Sequence, residues 1–287
     1  MSCVRERIST PDNDFLDLDF PKTNSDKIAV LVHGLEGSSA STYMQGMTKE
    51  FNANGWNIVC LNMRGCSGGP NRLFSSYHSG KTDDLNLVIN HVKTDYKTIA
   101  LIGFSLGGNV VLKYLGENAK QLDSKINFGA AISAPCDLEG SAEELRKPKN
   151  FLYMMRFLKT LKVEALEKKR LHPEVELKIS KVLVANDFHE FDNLYTAPAH
   201  GFRDVYDYWS KSSSKQFLSK ISIPTLLINS KNDPFLSDSC YPVEEAKNNP
   251  NFYLEVPNHG GHLGFLSKKA FHGKSWLEER VLTFISS

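Results

Sequence analysis

The chain has 287 residues, of which 41% are hydrophobic and 23% charged, and its formal net charge is +1. A chain of this length can bury a core without disulfide or metal support, and the composition is typical of a globular protein. Because the net charge is small and no basic block is present, composition gives no electrostatic case for nucleic-acid binding.

The lack of a recognisable targeting signal and the pattern of cysteines both predict a cytoplasmic location. The N-terminal sequence lacks the apolar run of a signal peptide, and no stretch approaches the roughly 18 apolar residues of a membrane span. The five cysteines are odd in number and widely spaced, which favours reduced thiols over a disulfide framework or a metal site. We therefore expect a cytoplasmic protein without a transmembrane segment, and we leave its oligomeric state open.

Strand-like segments recur along the chain and alternate with helix-like ones. Residues 5–20, interrupted by Pro11, predict a leading hairpin. Near-continuous apolar runs, typical of parallel strands covered on both faces, follow at residues 27–34, 56–63, 98–104, 129–134, 224–229 and 252–256. The alternation predicts an α/β fold with a doubly wound, mostly parallel sheet.

Three amphipathic helices are predicted between the first strands. The first should end at Gly55, the second should be capped by Thr82, and the third begins at Leu106. Their apolar positions follow helical spacing and are, in chain order, Tyr43, Met47 and Phe51; Leu85, Val88, Ile89 and Val92; and Leu106, Val110 and Tyr114.

The alternation is interrupted between Cys136 and about Phe217. Residues 143–170 are helix-like in sequence, and a further aromatic, helix-like stretch follows. We predict that residues 137–216 form a helical cap inserted into a core of residues 1–136 and 217–287, the alternative being additional core helices. A methionine and aromatic stripe in the cap predicts either an acyl pocket or plain core: Phe151, Tyr153, Met154, Met155 and Phe157.

The candidate nucleophile is Ser105, within the sequence Gly-Phe-Ser-Leu-Gly at residues 103–107. The pentapeptide follows an apolar strand and opens a helix, which is the setting of a nucleophile elbow. The sharp turn needs small neighbours, which Gly103 and Gly107 supply. Since a serine hydroxyl is a weak nucleophile, it also needs a general base.

The candidate oxyanion hole consists of two backbone N–H groups. One belongs to Leu106, directly after the nucleophile, and the other to Leu35, in the loop that follows an earlier strand. His33 precedes that loop, and we interpret it as structural because the base of this arrangement follows the serine in sequence.

The candidate acid and base come later, in the order serine, acid, histidine. Asp233 follows one predicted strand and His262 follows the next, so both leave the same sheet edge as Ser105. Asp238 and His259 are the rival acid and base. His259 and His262 could also suggest a metal site, but no third ligand lies at a suitable spacing in the sequence. The glycine-rich residues 64–69 fit a structural turn better than a phosphate loop.

The chain resembles the YheT-like, ABHD-type branch of the α/β-hydrolases. The matching pieces are residues 33–38 (His-Gly-Leu-Glu-Gly-Ser), 62–68 (Asn-Met-Arg-Gly-Cys-Ser-Gly), 103–109, 191–192, 196–198, 201–202 and 260–265. The resemblance implies the α/β-hydrolase fold, with Ser105, Asp233 and His262 at the positions of the family's triad. It also implies an ester hydrolase or acyltransferase that acts on acyl chains and uses neither cofactor nor metal.

These observations predict a serine carboxylesterase that acts on a small-molecule ester or an acyl lipid through an acyl-enzyme. An alcohol acyltransferase or a thioesterase would use the same residues, so the sequence does not separate them. A non-catalytic ligand-binding protein is the alternative from another class, and it would be expected to lack part of the triad.

Overall fold

The computed structural model describes residues 3–21, 24–265 and 276–286. Within these residues, eight strands form one sheet in the order β1-β2-β4-β3-β5-β6-β7-β8. β1 and β2 pair antiparallel, as do β2 and β4, and the remaining neighbours pair parallel. The strands are β1 Val4–Ser9, β2 Phe15–Phe20, β3 Lys27–Val32, β4 Asn57–Asn62, β5 Thr98–Phe104, β6 Ile126–Ile132, β7 Thr225–Ile228 and β8 Phe252–Glu255.

The sequence therefore predicted the sheet correctly. All six apolar runs are strands, and the leading hairpin is β1–β2, with Asn13 at a φ of 65° in its turn. β6 begins at Ile126, before the expected Gly129.

Helices cover both faces of the sheet. The structure contains α1 Thr42–Ala53, α2 Thr82–Val92, α3 Leu106–Glu117, α4 Leu138–Arg146, α5 Phe151–Leu171, α6 Ile179–Val184, α7 Phe188–Phe191, α8 Ala197–Ala199, α9 Val205–Ser212, α10 Val243–Asn248 and α11 Trp276–Ile285. Alternate residues of β3 face opposite layers: Val30 packs with α2 and α3, and Leu31 packs with α1 and α11. This two-sided burial explains why the strands are apolar at nearly every position.

One detail of the helices differs from the predictions. Thr82 is the first residue of α2 and not its N-cap, because its hydroxyl donates to Glu117 of α3. Residues 143–170 are helical as expected, and they are divided between α4 and α5. The break comes at Lys147, whose ψ is 144°, since the residue before Pro148 is disfavoured in a helical conformation. Gly55, with a φ of 78°, follows the end of α1 as expected.

Helices α4 to α9 lie between β6 and β7, and α4 to α7 share an apolar cluster of their own. This cluster includes Leu158 and Leu161 of α5 and also Phe235, from the loop after β7. The end of this segment is fixed to α3 by Asn109, which is fully buried. Its amide donates to the carbonyls of Ser79 (2.8 Å) and Ser212 (2.9 Å) and accepts from the Ser214 N–H (2.9 Å). These contacts hold the helical segment over the edge of the sheet at which Ser105 lies.

Candidate active site

Ser105 occupies the turn between β5 and α3. Its φ of 51° and ψ of −120° lie in a strained region for a residue with a side chain. A Cβ atom at Gly103 would lie 2.2 Å from the Gly107 carbonyl oxygen, and one at Gly107 would lie 2.3 Å from the Val32 carbonyl oxygen. Only glycine therefore allows the backbones to approach this closely, and the turn holds the serine side chain in the cavity described below.

His262 joins Ser105 to Asp233 through a chain of hydrogen bonds. The Ser105 Oγ–His262 Nε2 distance is 2.9 Å. His262 Nδ1 lies 2.9 Å from Asp233 Oδ2 and 3.1 Å from Oδ1. The Asp233 carboxylate is excluded from solvent, and Oδ1 also accepts the Phe235 N–H at 3.0 Å. The fold thus brings together the serine, the histidine and the carboxylate that the sequence placed in this order.

The rival residues lie elsewhere. His259 and Asp238 are both exposed. In the described part of the chain, neither side chain has a hydrogen bond to Ser105, Asp233 or His262. The geometry at the sheet edge therefore favours Asp233 over Asp238 and His262 over His259.

Polar residues that the sequence analysis missed fix the loop carrying His262. Gly261 and Leu263, on either side of His262, have positive φ values of 53° and 66°. Asn232 Oδ1 accepts the Gly261 N–H (2.9 Å), and the Ser230 hydroxyl donates to the Gly261 carbonyl (2.9 Å). Ser133 Oγ accepts the Leu263 N–H at 3.2 Å. The only sequence signal for this support is the polar run directly after β7.

His33 is buried and engaged through both ring nitrogens. Nδ1 donates to the Gly34 carbonyl (2.7 Å), and Nε2 accepts the Met63 N–H (3.0 Å). Burial lowers the pKa of His33 to about 4, so the ring is neutral at pH 7. It ties the loop after β3 to the end of β4, as expected of a structural residue.

Leu35 and Leu106 both line the same cavity as Ser105. Leu106 is the first residue of α3, where a backbone N–H has no acceptor within the helix. Within the described ranges, neither amide donates to a protein acceptor. Two residues with free backbone donors therefore line the cavity of the serine, and the Leu106 amide lies at the positive end of the α3 dipole.

A cavity of about 140 Å³ adjoins Ser105 and His262. Its wall is largely apolar and comes mainly from the helices between β6 and β7: Leu138, Leu145, Phe157, Leu161, Phe188, Phe191, Tyr195 and Trp209. His78 and His200 also line it. Burial lowers the pKa of both, that of His200 to about 4, so neither contributes a cation at neutral pH. The cavity suits an apolar group attached to a carbonyl at Ser105.

The methionine and aromatic stripe of α5 does not form this wall, with one exception. Phe157 lines the cavity, whereas Phe151, Tyr153 and Met155 are exposed and Met154 is buried in the apolar cluster. The pocket prediction is therefore wrong for four of its five residues. The spacing along the helix explains this result. Phe157, Leu161 and Glu164 are three or four residues apart, so they lie on the one face of α5 that meets the cavity.

Glu36 and Glu164 form a carboxyl pair next to the candidate oxyanion loop. Glu36 directly follows Leu35 and has a φ of 55°. Its N–H donates to the Tyr77 hydroxyl (2.9 Å), which donates back to Glu36 Oε1 (2.6 Å). Burial, together with the neighbouring Glu36, raises the pKa of Glu164, and Lys168 opposes this only in part. A protonated Glu164 links α5 to the loop that carries Leu35.

Replacing Glu164 with glutamine should make the protein more resistant to high pH. The native state holds a proton on Glu164 that the unfolded state releases, so wild-type stability should decline as the pH rises above 4.5, the ordinary pKa. The glutamine side chain stays neutral and can still donate to Glu36. At about pH 8.5 we expect a melting temperature at least about 2 °C above wild type, the shift expected for about 1 kcal/mol.

Thermal unfolding followed by circular dichroism from about pH 5 to about pH 8.5 measures this difference. Glu167→Gln is the matched control, since it removes a charge from the same helix without removing the Glu164 carboxyl. Parallel pH profiles for wild type and Glu164→Gln would contradict the assignment.

The described residues contain neither a candidate metal cluster nor a candidate membrane span. No cluster of three or more histidine, cysteine, aspartate or glutamate side chains could hold a metal ion in this part of the chain. No helix among these residues is both long and apolar enough to cross a bilayer.

Comparisons with known proteins identify the fold and the family. Residues 29–269 match the family model described as the alpha/beta hydrolase fold. YheT of Escherichia coli is 32% identical, over 98% of this chain and 84% of that protein. Phospholipase ABHD3 of Bos taurus is 30% identical, over 91% of this chain and 66% of that protein. The chain thus spans slightly less than two thirds of ABHD3.

Among solved structures, Pyrococcus furiosus esterase Pf2001 is similar, with a TM-score of 0.66 and 18% identity over 99% of this chain and 90% of that one. At this identity the likeness establishes the fold alone. The family match, the identity to YheT and the eight-stranded sheet of the described residues agree. The chain therefore belongs to the α/β-hydrolases and, within them, to the branch that contains YheT and the ABHD-type proteins.

Proposed function

We propose that the protein is a serine carboxylesterase that works through an acyl-enzyme on Ser105. The observation that carries the proposal is the hydrogen-bond chain from Ser105 through His262 to the buried Asp233. A serine hydroxyl becomes a competent nucleophile when an adjacent base can take its proton and a third group orients that base. A ligand-binding protein would not need all three groups in this arrangement.

The proposed reaction has two acyl-transfer steps. Ser105 Oγ attacks the ester carbonyl while His262 Nε2 takes the hydroxyl proton, and His262 then gives that proton to the departing alcohol. The bond between the carbonyl carbon and the alcohol oxygen breaks, leaving the acyl group on Ser105. Water, deprotonated by His262, releases the acid and restores the serine. Asp233 orients His262 and stabilises its charged form.

The Leu35 and Leu106 amides are the proposed oxyanion donors. Both residues line the cavity at Ser105, and both amides lack a protein acceptor among the described residues. Such preorganised donors stabilise the negative charge that develops on the carbonyl oxygen during attack.

The proposed substrate is an ester with an apolar acyl chain. Its support is the apolar wall that the helices between β6 and β7 contribute. We assign residues 137–216 as a cap over a core of residues 1–136 and 217–287, because this helical segment covers the edge that carries Ser105. The phospholipase named among the relatives acts on a lipid, which fits the same class.

We also propose a cytoplasmic location. All five cysteines, Cys3, Cys60, Cys66, Cys136 and Cys240, are free thiols, which fits a reducing compartment.

A fluorophosphonate probe tests the nucleophile directly, because it reacts covalently with an activated serine. We expect stoichiometric labelling of the wild-type chain, located at Ser105 by peptide mass spectrometry, and no labelling of Ser105→Ala. A panel of p-nitrophenyl esters of increasing chain length then tests the substrate class. Labelling at another serine would overturn the proposal.

A further inference from the structure

Helix α5 exposes an unusual combination of side chains on the side that faces away from the cavity. Its inner face is buried and includes Met154, Leu158 and Leu161. On the opposite side, residues three or four positions apart form a second face. We call this the α5 outer face. It consists of four apolar and four basic residues: Leu152, Met155, Val163, Leu166, Arg156, Lys159, Lys162 and Arg170.

The apolar residues of the α5 outer face are open to solvent. Leu152 is 80% exposed, Val163 61%, Leu166 49% and Met155 46%. Single exposed apolar residues are common on protein surfaces, but a cluster on one helix indicates an interaction site.

The charge on this helix is as uneven as its hydrophobicity. Helix α5 contains six lysines or arginines and two glutamates, a net formal charge of +4 in a chain whose total is +1. Across the described residues, the side chains of Arg156, Lys159, Lys162 and Arg170 make no ion pair. The α5 outer face therefore presents unpaired cations between exposed apolar side chains.

We propose that the α5 outer face binds the surface of a membrane that contains anionic lipids. Basic residues attract anionic headgroups, and the apolar residues between them can enter the region beneath the headgroups. A helix of 21 residues is about 31 Å long and can lie flat along such a surface. A lipid surface can contact both the basic and the apolar residues of the α5 outer face, and it needs no groove that matches the shape of the helix.

This inference goes beyond the proposed function and does not depend on ester cleavage. It has a structural consequence for that function, because Phe157 and Leu161 of the same helix line the cavity. Binding through α5 would bring the membrane within about one helix diameter, 10–12 Å, of the cavity wall.

Sedimentation of the full chain with sucrose-loaded vesicles tests the proposal. We expect at least tenfold stronger binding to phosphatidylcholine vesicles that contain about 30% phosphatidylglycerol than to pure phosphatidylcholine. Leu152→Asp combined with Val163→Asp should abolish that binding. Arg156→Gln, Lys159→Gln and Lys162→Gln together should weaken it about 100-fold, since each basic residue near an anionic surface contributes a factor of about five.

Matched controls carry the same changes on other surfaces. Val4→Asp with Val243→Asp alters exposed apolar residues, and Lys49→Gln, Lys97→Gln and Lys120→Gln removes exposed charges. Both controls should bind like wild type. Equal wild-type binding to the two vesicle types, or equal losses in the controls, would overturn the proposal. A dimer in analytical ultracentrifugation would also overturn the proposal if Leu152→Asp with Val163→Asp dissociated it without changing vesicle binding. The α5 outer face would then bind a second copy of the chain.

Hydrolysis of a soluble short-chain ester, measured on the same variants, separates the two proposals. Intact hydrolysis without vesicle binding would overturn the membrane inference alone. Vesicle binding without hydrolysis or probe labelling would overturn the proposed function alone.

Discussion

Replacing Ser105 with alanine should lower kcat for a p-nitrophenyl ester on the order of 10⁴–10⁶-fold. The substitution removes the hydroxyl that forms the acyl-enzyme in the proposed mechanism, while His262, Asp233 and the Leu35 and Leu106 amides remain. The rate that remains should be the smaller acceleration from substrate binding and from the proposed oxyanion donors. Alanine also keeps the strained φ of 51° and the contacts of the turn, so the loss should be one of chemistry and not of folding.

Steady-state kinetics on purified protein, with circular dichroism to confirm an unchanged melting temperature, measures this effect. Ser210→Ala is a suitable control, because Ser210 is exposed on α9 and has no role in the proposed mechanism. A residual rate within tenfold of wild type would contradict the role of Ser105.

A double variant that removes both Ser105 and His262 tests whether the two residues act as a unit or contribute independently to the rate. Residues that act as a unit show losses that do not add, because removing the first member already removes the benefit of the others. Ser105→Ala combined with His262→Ala should therefore be no slower than Ser105→Ala alone. A double variant slower by the product of the two single losses would indicate that His262 acts on something other than Ser105.

The features that the sequence predicted well depend on local pattern or on chain order. β3 and β5 are buried on both faces, so their apolar runs identify them without knowledge of their neighbours. Ser105, Asp233 and His262 each follow a parallel strand, and parallel strands end at one edge of a sheet. Their proximity therefore follows from topology, although the 2.9 Å contact with Ser105 does not.

The features that the sequence did not predict depend on packing between distant segments. Both faces of α5 carry apolar residues, so hydrophobicity does not say which face meets the cavity. That choice is made by contact with α6, with residues 191 and 195, and with Phe235. The pairing of Glu36 with Glu164 also depends on packing. The sequence predicts a solvated charge for a glutamate on a helix, and only the fold buries Glu164 beside Glu36.

Replacing Asp233 with asparagine should lower kcat about 10⁴-fold with little change in the fold. Asparagine is almost the same size, and its amide oxygen can still accept the Phe235 N–H that Asp233 Oδ1 accepts at 3.0 Å. Its NH₂ group would then face His262 Nδ1 and donate to it. This would keep the ring proton on Nε2, the atom that must accept the proton of Ser105. The variant would also lose the charge that stabilises the imidazolium.

The same substitution at Asp238 is the matched control, because Asp238 lies five residues later on the same connection and is exposed. Asp238→Asn should keep kcat within about twofold of wild type, as expected for a surface change. Kinetics on the two variants, with melting temperatures measured in parallel, compares the rival acids directly. A large loss in Asp238→Asn with a nearly intact Asp233→Asn would overturn the assignment of the acid. A loss in Asp233→Asn alone would show that burial against His262, and not mere presence on the loop, determines which carboxylate orients the base.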